Sequence, residues 1–523
     1  MLDPSPARNR DGDSVNSLYR DPQNLKDFQL EDIVTLRRLG RGVLGWDTGM
    51  GKTRGLLGLA CWLLDKQEID TILLVCEQNK LGPDEWEGDI KALTTATWAK
   101  YHGARRSSVL QGELPQIIAT TYETAREDIA VRDAEGHLIA DGPLTRALAG
   151  RRVLIAYDEM PKLAIASSGL YQAHNYLVER IGACVVGLTA MAYTVDYEST
   201  YNMFLLVCPD VLPTREQFEE LCVVRRRRRT NKAIFNDRAV RQYLLEPIRP
   251  YLLRRRKTDP EVAHLFPKMR EKTLHTVMTP DQAEAYQTME AFGRVEAERL
   301  GEEPSGLYTV LRMIASYPEA LLAADGALAA ETVQVLGAEW LASIRPGKLD
   351  MLQKLAAHAA AEDRKTVVFS FFGPTILPLL ARDLQHLGVP ILTFYGAATK
   401  ARRESLAAFR AHKGPALLLA SNAAARGINV PEASRLIEYE GALTYEIGAQ
   451  RRNRIHRLDS PHDEVVCATL IADGTLEQPI AEKMLHRNFE TDAVNGDEFA
   501  APHGFTTASI RRSKMDVWQN AVA

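Results

Sequence analysis

The chain has 523 residues, of which 46% are hydrophobic and 25% charged, with a formal net charge of −4. That length is too great for one ordinary core and predicts two to three domains, while the composition excludes a disordered chain. No apolar run reaches the roughly 18 residues of a membrane span, and the six cysteines form no CxxC pair, which argues against a zinc ribbon or a disulfide framework.

Residues 1–23 form a polar leader, and MLDPSPARNRDGDSV lacks the apolar run of a secretory signal, so the expected location is cytoplasmic. From residue 24 strands and helices alternate. RGVLGWD (41–47) runs into a glycine turn, and KTRGLLGLACWLLDK (52–66) follows with helical periodicity. TILLVCE (71–77), QIIATTYETAR (116–126), RRVLIAYDEM (151–160) and ACVVGLTAM (183–191) are apolar runs of the kind that fill buried parallel strands. Between about 196 and 350 the texture is helical, as in TPDQAEAYQTMEAFGRVEAERL (279–300). Strand-like runs return at KTVVFSFFG (365–373), PILTFYG (390–396), GPALLLAS (414–421), SRLIEYE (434–440) and DEVVCATLIA (463–472). The expected fold class is α/β: two doubly wound parallel-sheet halves, 24–260 and 261–490, with helical insertions and a polar tail over 491–523.

GWDTGMGKTRG (45–55) lies between the first strand and its helix. Backbone N–H groups at a helix start converge on a phosphate, and the helix end favours its charge. In such a loop Lys52 reaches the β/γ-phosphates and Thr53 holds Mg2+. The competing reading is a glycine-rich turn with an exposed lysine. A hydrolysing site also needs carboxylates at a neighbouring strand end, and VLIAYDEM supplies Asp158 for Mg2+ and Glu159 for the attacking water. The same pair could be an ordinary acidic helix start. In AQRRNRIHRL (449–458), Arg451, Arg454 and Arg457 recur every three residues and share one side of a helix or turn. They form a solvated basic face, a backbone-binding patch, or, for Arg454 and Arg457, a pair reaching across a cleft to the γ-phosphate of ATP.

The order of these pieces resembles superfamily 2 helicase-like ATPases, and among them the Snf2/Swi2 type of double-stranded-DNA translocase. LKDFQLEDI is similar to the family's upstream glutamine element, GWDTGMGKT to motif I, IIATTYE to motif Ib, YDEM to motif II and GLTAM to motif III. RPYLLRRRKTDPEVAHLFPKM (249–269) is similar to the linker between lobes, VVFSFF to motif IV, SNAAARGINVPEASRLIEYE to motif V and QRRNRIHR to motif VI. The resemblance, over about 24–485, implies two tandem RecA-like lobes, use of ATP and Mg2+, and action on duplex or branched DNA; with no separate targeting module in the sequence, either a targeting partner or a small bacterial or phage role is expected.

Carried over residue by residue, it implies that Lys52, Thr53, Asp158, Glu159, Arg454 and Arg457 carry catalysis, with Thr53 and Asp158 as the Mg2+ ligands. ATP would be held by Gln29 (at the adenine), Asp47, Thr48, Gly49, Met50, Gly51, Arg54 and Gly427. Thr189, Ala190, Asn429, Gln450 and Arg451 would couple the lobes. Nucleic acid would meet Thr120, Thr121, Ser370, Gly396 and Arg426. The run Arg225, Arg226, Arg227, Arg228 and Arg229 is a further candidate, since a phosphate backbone relieves the repulsion of five adjacent charges, although a solvated loop is the alternative.

Trp46 stands where the family has Asp and other phosphate loops have Gly or Ala, and Met160-Pro161 replaces the rest of a DEAH-type motif II. The chemical groups survive, which favours hydrolysis with altered coupling. The alternatives are a strand-separating DNA or RNA helicase and a weakly hydrolysing ATP-binding scaffold for a DNA-processing partner.

Overall fold

The computed structural model describes residues 18–482 apart from 22–23, 84, 191–196, 227–230, 302–303, 397–398, 423 and 425–427. Most of the expected leader, the whole expected tail, and Arg227, Arg228, Arg229, Arg426 and Gly427 therefore lie outside the described residues. The chain divides between His264 and Leu265 into two compact units.

In the first unit the apolar runs become strands because continuous Val, Ile and Leu suit a sheet covered on both faces. They are β1 (Gly42–Trp46), β2 (Thr71–Cys76), β3 (Trp98–Tyr101), β4 (Ile117–Thr121), β5 (Ala130–Arg132), β6 (Leu138–Asp141), β7 (Val153–Asp158), β8 (Cys184–Leu188), β9 (Val223–Arg226), β10 (Ala233–Phe235) and β11 (Leu252–Arg255). Every residue of β1, β2, β4 and β7 is buried. Seven strands form one parallel sheet in the order β11-β1-β8-β7-β2-β4-β3. Pairs β5–β6 and β9–β10 are small antiparallel ribbons.

This order positions the site. After β1 the chain crosses to β2, leaving a gap that β8 and β7 fill when the chain returns. The loop after β1 and the carboxylates ending β7 thus share the carboxyl edge of one sheet, at a reversal of strand order, where α/β proteins place ligands. Around the sheet lie α1 (Asp27–Leu39), α2 (Lys52–Asp65), α3 (Trp86–Leu93) and α4 (Tyr122–Ile129), with further helices at Gly169–Ile181 and Tyr197–Val207. The core beneath gathers Leu73, Ile118, Ile155, Leu177 and Phe204.

The second unit contains β12 (Lys268–Thr276), β13 (Thr366–Ser370), β14 (Ile391–Phe394), β15 (Leu417–Ser421), β16 (Arg435–Glu438) and β17 (Glu464–Ala472). They form a parallel sheet in the order β12-β17-β16-β13-β15-β14. The helical insertion, including Pro280–Leu300, Leu307–Ser316 and Gly347–Ala361, packs on one face through Met289, Leu311, Ile314 and Leu352.

The segment 249–269 carries the passage between the units, yet both its ends are sheet rather than connector. Leu252–Arg255 extends the first sheet beside β1, and Lys268 opens β12, which pairs with β17 along its whole length. Among the described residues, no helix is long and apolar enough to cross a membrane.

Candidate nucleotide site

β1 ends at Trp46 and α2 begins at Lys52. Between them Gly49 and Gly51 have φ of 86° and 81°, the left-handed region that favours glycine. Gly51 caps α2 without a side-chain bond, so the first helical N–H groups face the loop. A Cβ on Gly51 would also lie 2.6 Å from Gln29 Nε2. The Lys52 ammonium donates to the carbonyl oxygens of Trp46 (2.8 Å) and Asp47 (3.3 Å). It is therefore folded beneath the loop rather than exposed, and burial lowers its pKa to about 8. Thr53 follows as the second residue of α2, half-buried.

The loop is braced from two sides. Asp47 pairs with Arg254 of β11 at 2.8 Å and accepts from the Lys257 N–H at 3.0 Å. Gln29 of α1 is fully buried, with its Nε2 donating to the Met50 carbonyl (2.8 Å) and its Oε1 accepting from the Lys26 N–H (2.9 Å). Its amide, expected at the adenine, is here a brace under the phosphate loop. Arg54 pairs with Asp21 at 2.6 Å, and Thr48 is half-buried.

Trp46 has no side-chain part in the loop. Its fully buried indole turns towards α1, where Nε1 donates to Asp32 Oδ2 at 2.7 Å and the ring meets Phe28 edge-on at 5.2 Å. A Cβ on Gly55 of α2 would lie 2.6 Å from the indole, so the glycine makes room for it. Asp32 is in turn held by Arg255 at 2.7 Å.

Asp158 ends β7, and Glu159 follows with φ 58°, a left-handed backbone uncommon for a non-glycine residue. Asp158 Oδ2 accepts from Trp86 Nε1 (2.8 Å) and lies 3.3 Å from Lys80 Nζ. Lys80 also pairs with Glu159 Oε1 at 3.0 Å. Burial alone would lower the Lys80 pKa, but Asp158 and Glu159 hold it well above the ordinary lysine value. The pair is thus a strand-end carboxylate site with its own lysine. The sequence assigns no role to Lys80, because a polar Gln-Asn-Lys turn does not show which side chains it will touch. Thr189 is buried just past β8 and its N–H donates to the Leu44 carbonyl of β1 at 3.2 Å, while Ala190 beside it is half-buried.

In the second unit Thr444 caps the helix Tyr445–Arg452. Arg451 is fully buried, donating to Asn422 Oδ1 (2.7 Å) and the Glu440 carbonyl (2.9 Å), with Glu438 at 3.5 Å. Arg454 and Arg457 lie in the turn beyond. Asn429 Oδ1 accepts from both, at 3.3 and 2.7 Å, and Arg454 also donates to the carbonyls of Ile428 and Gln450 (2.9 Å each). Motifs V and VI are therefore bound together through Asn429. Arg451 belongs to the core of this unit, whereas Arg457 keeps 18% of its side chain exposed.

Three of the residues expected to meet nucleic acid have their hydroxyls engaged within the protein. Thr120, Thr121 and Ser370 are buried. Thr120 donates to the Tyr101 carbonyl (2.8 Å), Thr121 caps α4, and Ser370 donates to Glu440 (3.3 Å). These side chains shape strand ends, with their hydroxyls bonded inside the protein. Gly396 lies in an exposed turn with φ 75°. Arg225 is exposed, but Arg226 is committed to Glu219 (2.5 Å) and Glu198 (3.3 Å).

The model of the SNF2-related domain matches residues 33–317, more than half of the chain. The chain belongs to the SNF2-related family. The helicase conserved C-terminal domain matches residues 347–459 of this SNF2-related chain. Among curated relatives, the ISWI chromatin-remodeling complex ATPase CHR11 of Arabidopsis thaliana is 22% identical over 491 residues, covering 90% of this chain and 42% of the relative. The ATP-dependent DNA helicase DDM1 of the same plant is 22% identical over 466 residues, covering 83% of this chain and 57% of the relative. The chain thus spans less than two thirds of the length of these relatives. A solved Sulfolobus solfataricus SWI2/SNF2 ATPase core in complex with dsDNA aligns at 18% identity and a TM-score of 0.42, covering 98% of this chain and 97% of that one.

Proposed function

We propose that this SNF2-related chain hydrolyses ATP with Mg2+ and couples the cycle to movement along double-stranded DNA, remodelling DNA or protein–DNA joints. One observation carries the reading: the Lys52 loop and the Asp158–Glu159 pair share the carboxyl edge of one parallel sheet, the separation of roles that phosphoryl transfer needs. The donor set fits the ligand. Glycine-turned N–H groups and an ammonium suit a polyphosphate, and a hydroxyl with a strand-end carboxylate suits Mg2+, so Thr53 and Asp158 would hold the metal. When bound, Mg2+ supplies charge neutralisation at the phosphates. Glu159 would orient the attacking water, and Arg454 and Arg457 would stabilise charge on the transferring group. Two relatives, a chromatin-remodeling complex ATPase and an ATP-dependent DNA helicase, favour DNA as the track.

ATP turnover measured with single-stranded, duplex and forked DNA and with RNA tests this. Stimulation chiefly by duplex, with displacement of a third strand from a triplex, supports translocation. Unwinding of forks favours strand separation, the reading suggested by the helicase relative. Tight ATP binding with negligible turnover on every nucleic acid sinks the motor and favours a scaffold.

Three further outcomes are expected. Because free Lys52 loses its proton near pH 8, kcat/KM for ATP falls as pH rises through about 8. Lys52→Arg, whose charge does not titrate there, removes that alkaline limb; the pH profiles of the two proteins check it. Arg451→Ala leaves Glu438 and Asn422 without their buried partner and costs about 3–5 kcal/mol in urea unfolding. Arg457→Ala melts within a few degrees of wild type and loses turnover.

A further inference from the structure

Two adjacent carboxylates at a strand end repel each other, the more so where water is partly excluded. The first unit relieves this with a side chain of its own. β2 lies beside β7 in register, Val75 opposite Tyr157, so the short turn Gln78–Lys80 after β2 stands next to the end of β7. Lys80 Nζ lies 3.3 Å from Asp158 and 3.0 Å from Glu159, and 18% of the side chain is exposed. Trp86 Nε1 fixes the same Asp158 oxygen at 2.8 Å. The phosphate-loop lysine, Lys52, is turned instead to the carbonyls of Trp46 and Asp47.

We propose that Lys80 is a resident counter-cation of the Asp158–Glu159 pair, which a divalent metal must displace, so that the nucleotide-free protein excludes metal from this site. Lys80 acts as a positioning residue. It holds both carboxylates while no metal is present, and its flexible four-carbon stem lets the ammonium leave without moving the turn. An ammonium and a divalent cation compete for the same oxygens, so the chain takes up metal readily only when triphosphate oxygens arrive with it. The inference rests on the proposed nucleotide site, but its test uses no nucleotide and no turnover. An inactive protein with the expected metal behaviour would sink only the motor reading.

The experiment titrates Mn2+ into nucleotide-free full-length chain and reads free Mn2+ by electron paramagnetic resonance. Lys80→Met, which keeps length and loses charge, is expected to bind Mn2+ about tenfold tighter than wild type or more. Lys80→Arg stays as weak as wild type, and Lys80→Met combined with Asp158→Asn loses the gain. Equal affinity in Lys80→Met and wild type, or a gain that survives Asp158→Asn, overturns the proposal. A purely structural ion pair would lower the melting temperature of Lys80→Met without changing Mn2+ affinity. The wild-type chain gives a second readout that needs no variant to fold. At saturating Mn2+ the displaced Lys80 amine no longer lies against Asp158 and Glu159 and gains access to solvent, so acylation of the Lys80 peptide, followed by mass spectrometry, speeds up. Unchanged or slower labelling at saturation overturns the proposal.

Discussion

Lys52→Ala is expected to cut ATP turnover by about a hundred- to a thousandfold, the scale on which removing one preorganised donor at a developing charge acts. Stability should be nearly unchanged. Among the described residues Lys52 donates only to the carbonyls of Trp46 and Asp47, and these can take water in its place. The sign of the electrostatics agrees. Its folded pKa, about 8, lies below the ordinary lysine value because burial disfavours the ammonium. The charged form therefore costs the fold stability below about pH 8, and that cost fades as pH rises from there to the unfolded lysine value. Removing the side chain removes a burden on the fold, so the variant separates chemistry from folding. Steady-state ATPase with duplex DNA and a thermal melt, run on the same preparation, check both halves. Turnover above about a tenth of wild type would mean that the phosphates are held elsewhere.

How far the sequence carried the fold depends on where each element keeps its apolar side chains. TILLVC and VLIAYD are strands buried on both faces, so an unbroken apolar run marks them without any partner being known. Leu252–Arg255 is a strand as well, yet only two apolar residues precede its arginines, and those arginines are paid for by Asp47 and Asp32 from distant parts of the chain. A basic run followed by a turn reads as a connector when its acidic partners are invisible. β12 was hidden for a similar reason: most of KMREKTLHT is exposed, and β17 alone gives it a sheet. The same limit applies at the site. The residues that motif order supplied, Lys52, Asp158 and Glu159, are on one sheet edge. What order could not supply is which neighbours those side chains touch: Lys80 on both carboxylates and Trp86 on Asp158. It also could not show that Thr120, Thr121 and Ser370 spend their hydroxyls inside the protein.

Trp46→Gly, which restores the strict phosphate-loop pattern, is expected to damage the protein without improving its nucleotide site. The indole is fully buried between α1 and α2, and deleting it leaves a large cavity that α2 cannot close, since Gly55 was already the smallest possible neighbour. Large-to-small changes of this kind cost about 3–5 kcal/mol, and the conformational freedom of a glycine at the end of β1 adds to that. Asp32 also loses the bond from Nε1 and is left to Arg255. ATP affinity should not rise, because the loop uses the Trp46 carbonyl, which accepts from Lys52 at 2.8 Å and which glycine would retain. Trp46→Phe divides the two contributions: it keeps most of the packing against Phe28 and loses only the indole hydrogen bond, a cost of about 1–3 kcal/mol for a buried acceptor left short of a donor. Urea unfolding of the three proteins and binding of a non-hydrolysable ATP analogue measure these effects. Tighter analogue binding by Trp46→Gly would show that the indole obstructs the loop after all. The expected ranking, with stability falling from wild type through Phe to Gly and affinity never rising, identifies position 46 as a packing position whose backbone alone serves the phosphate site.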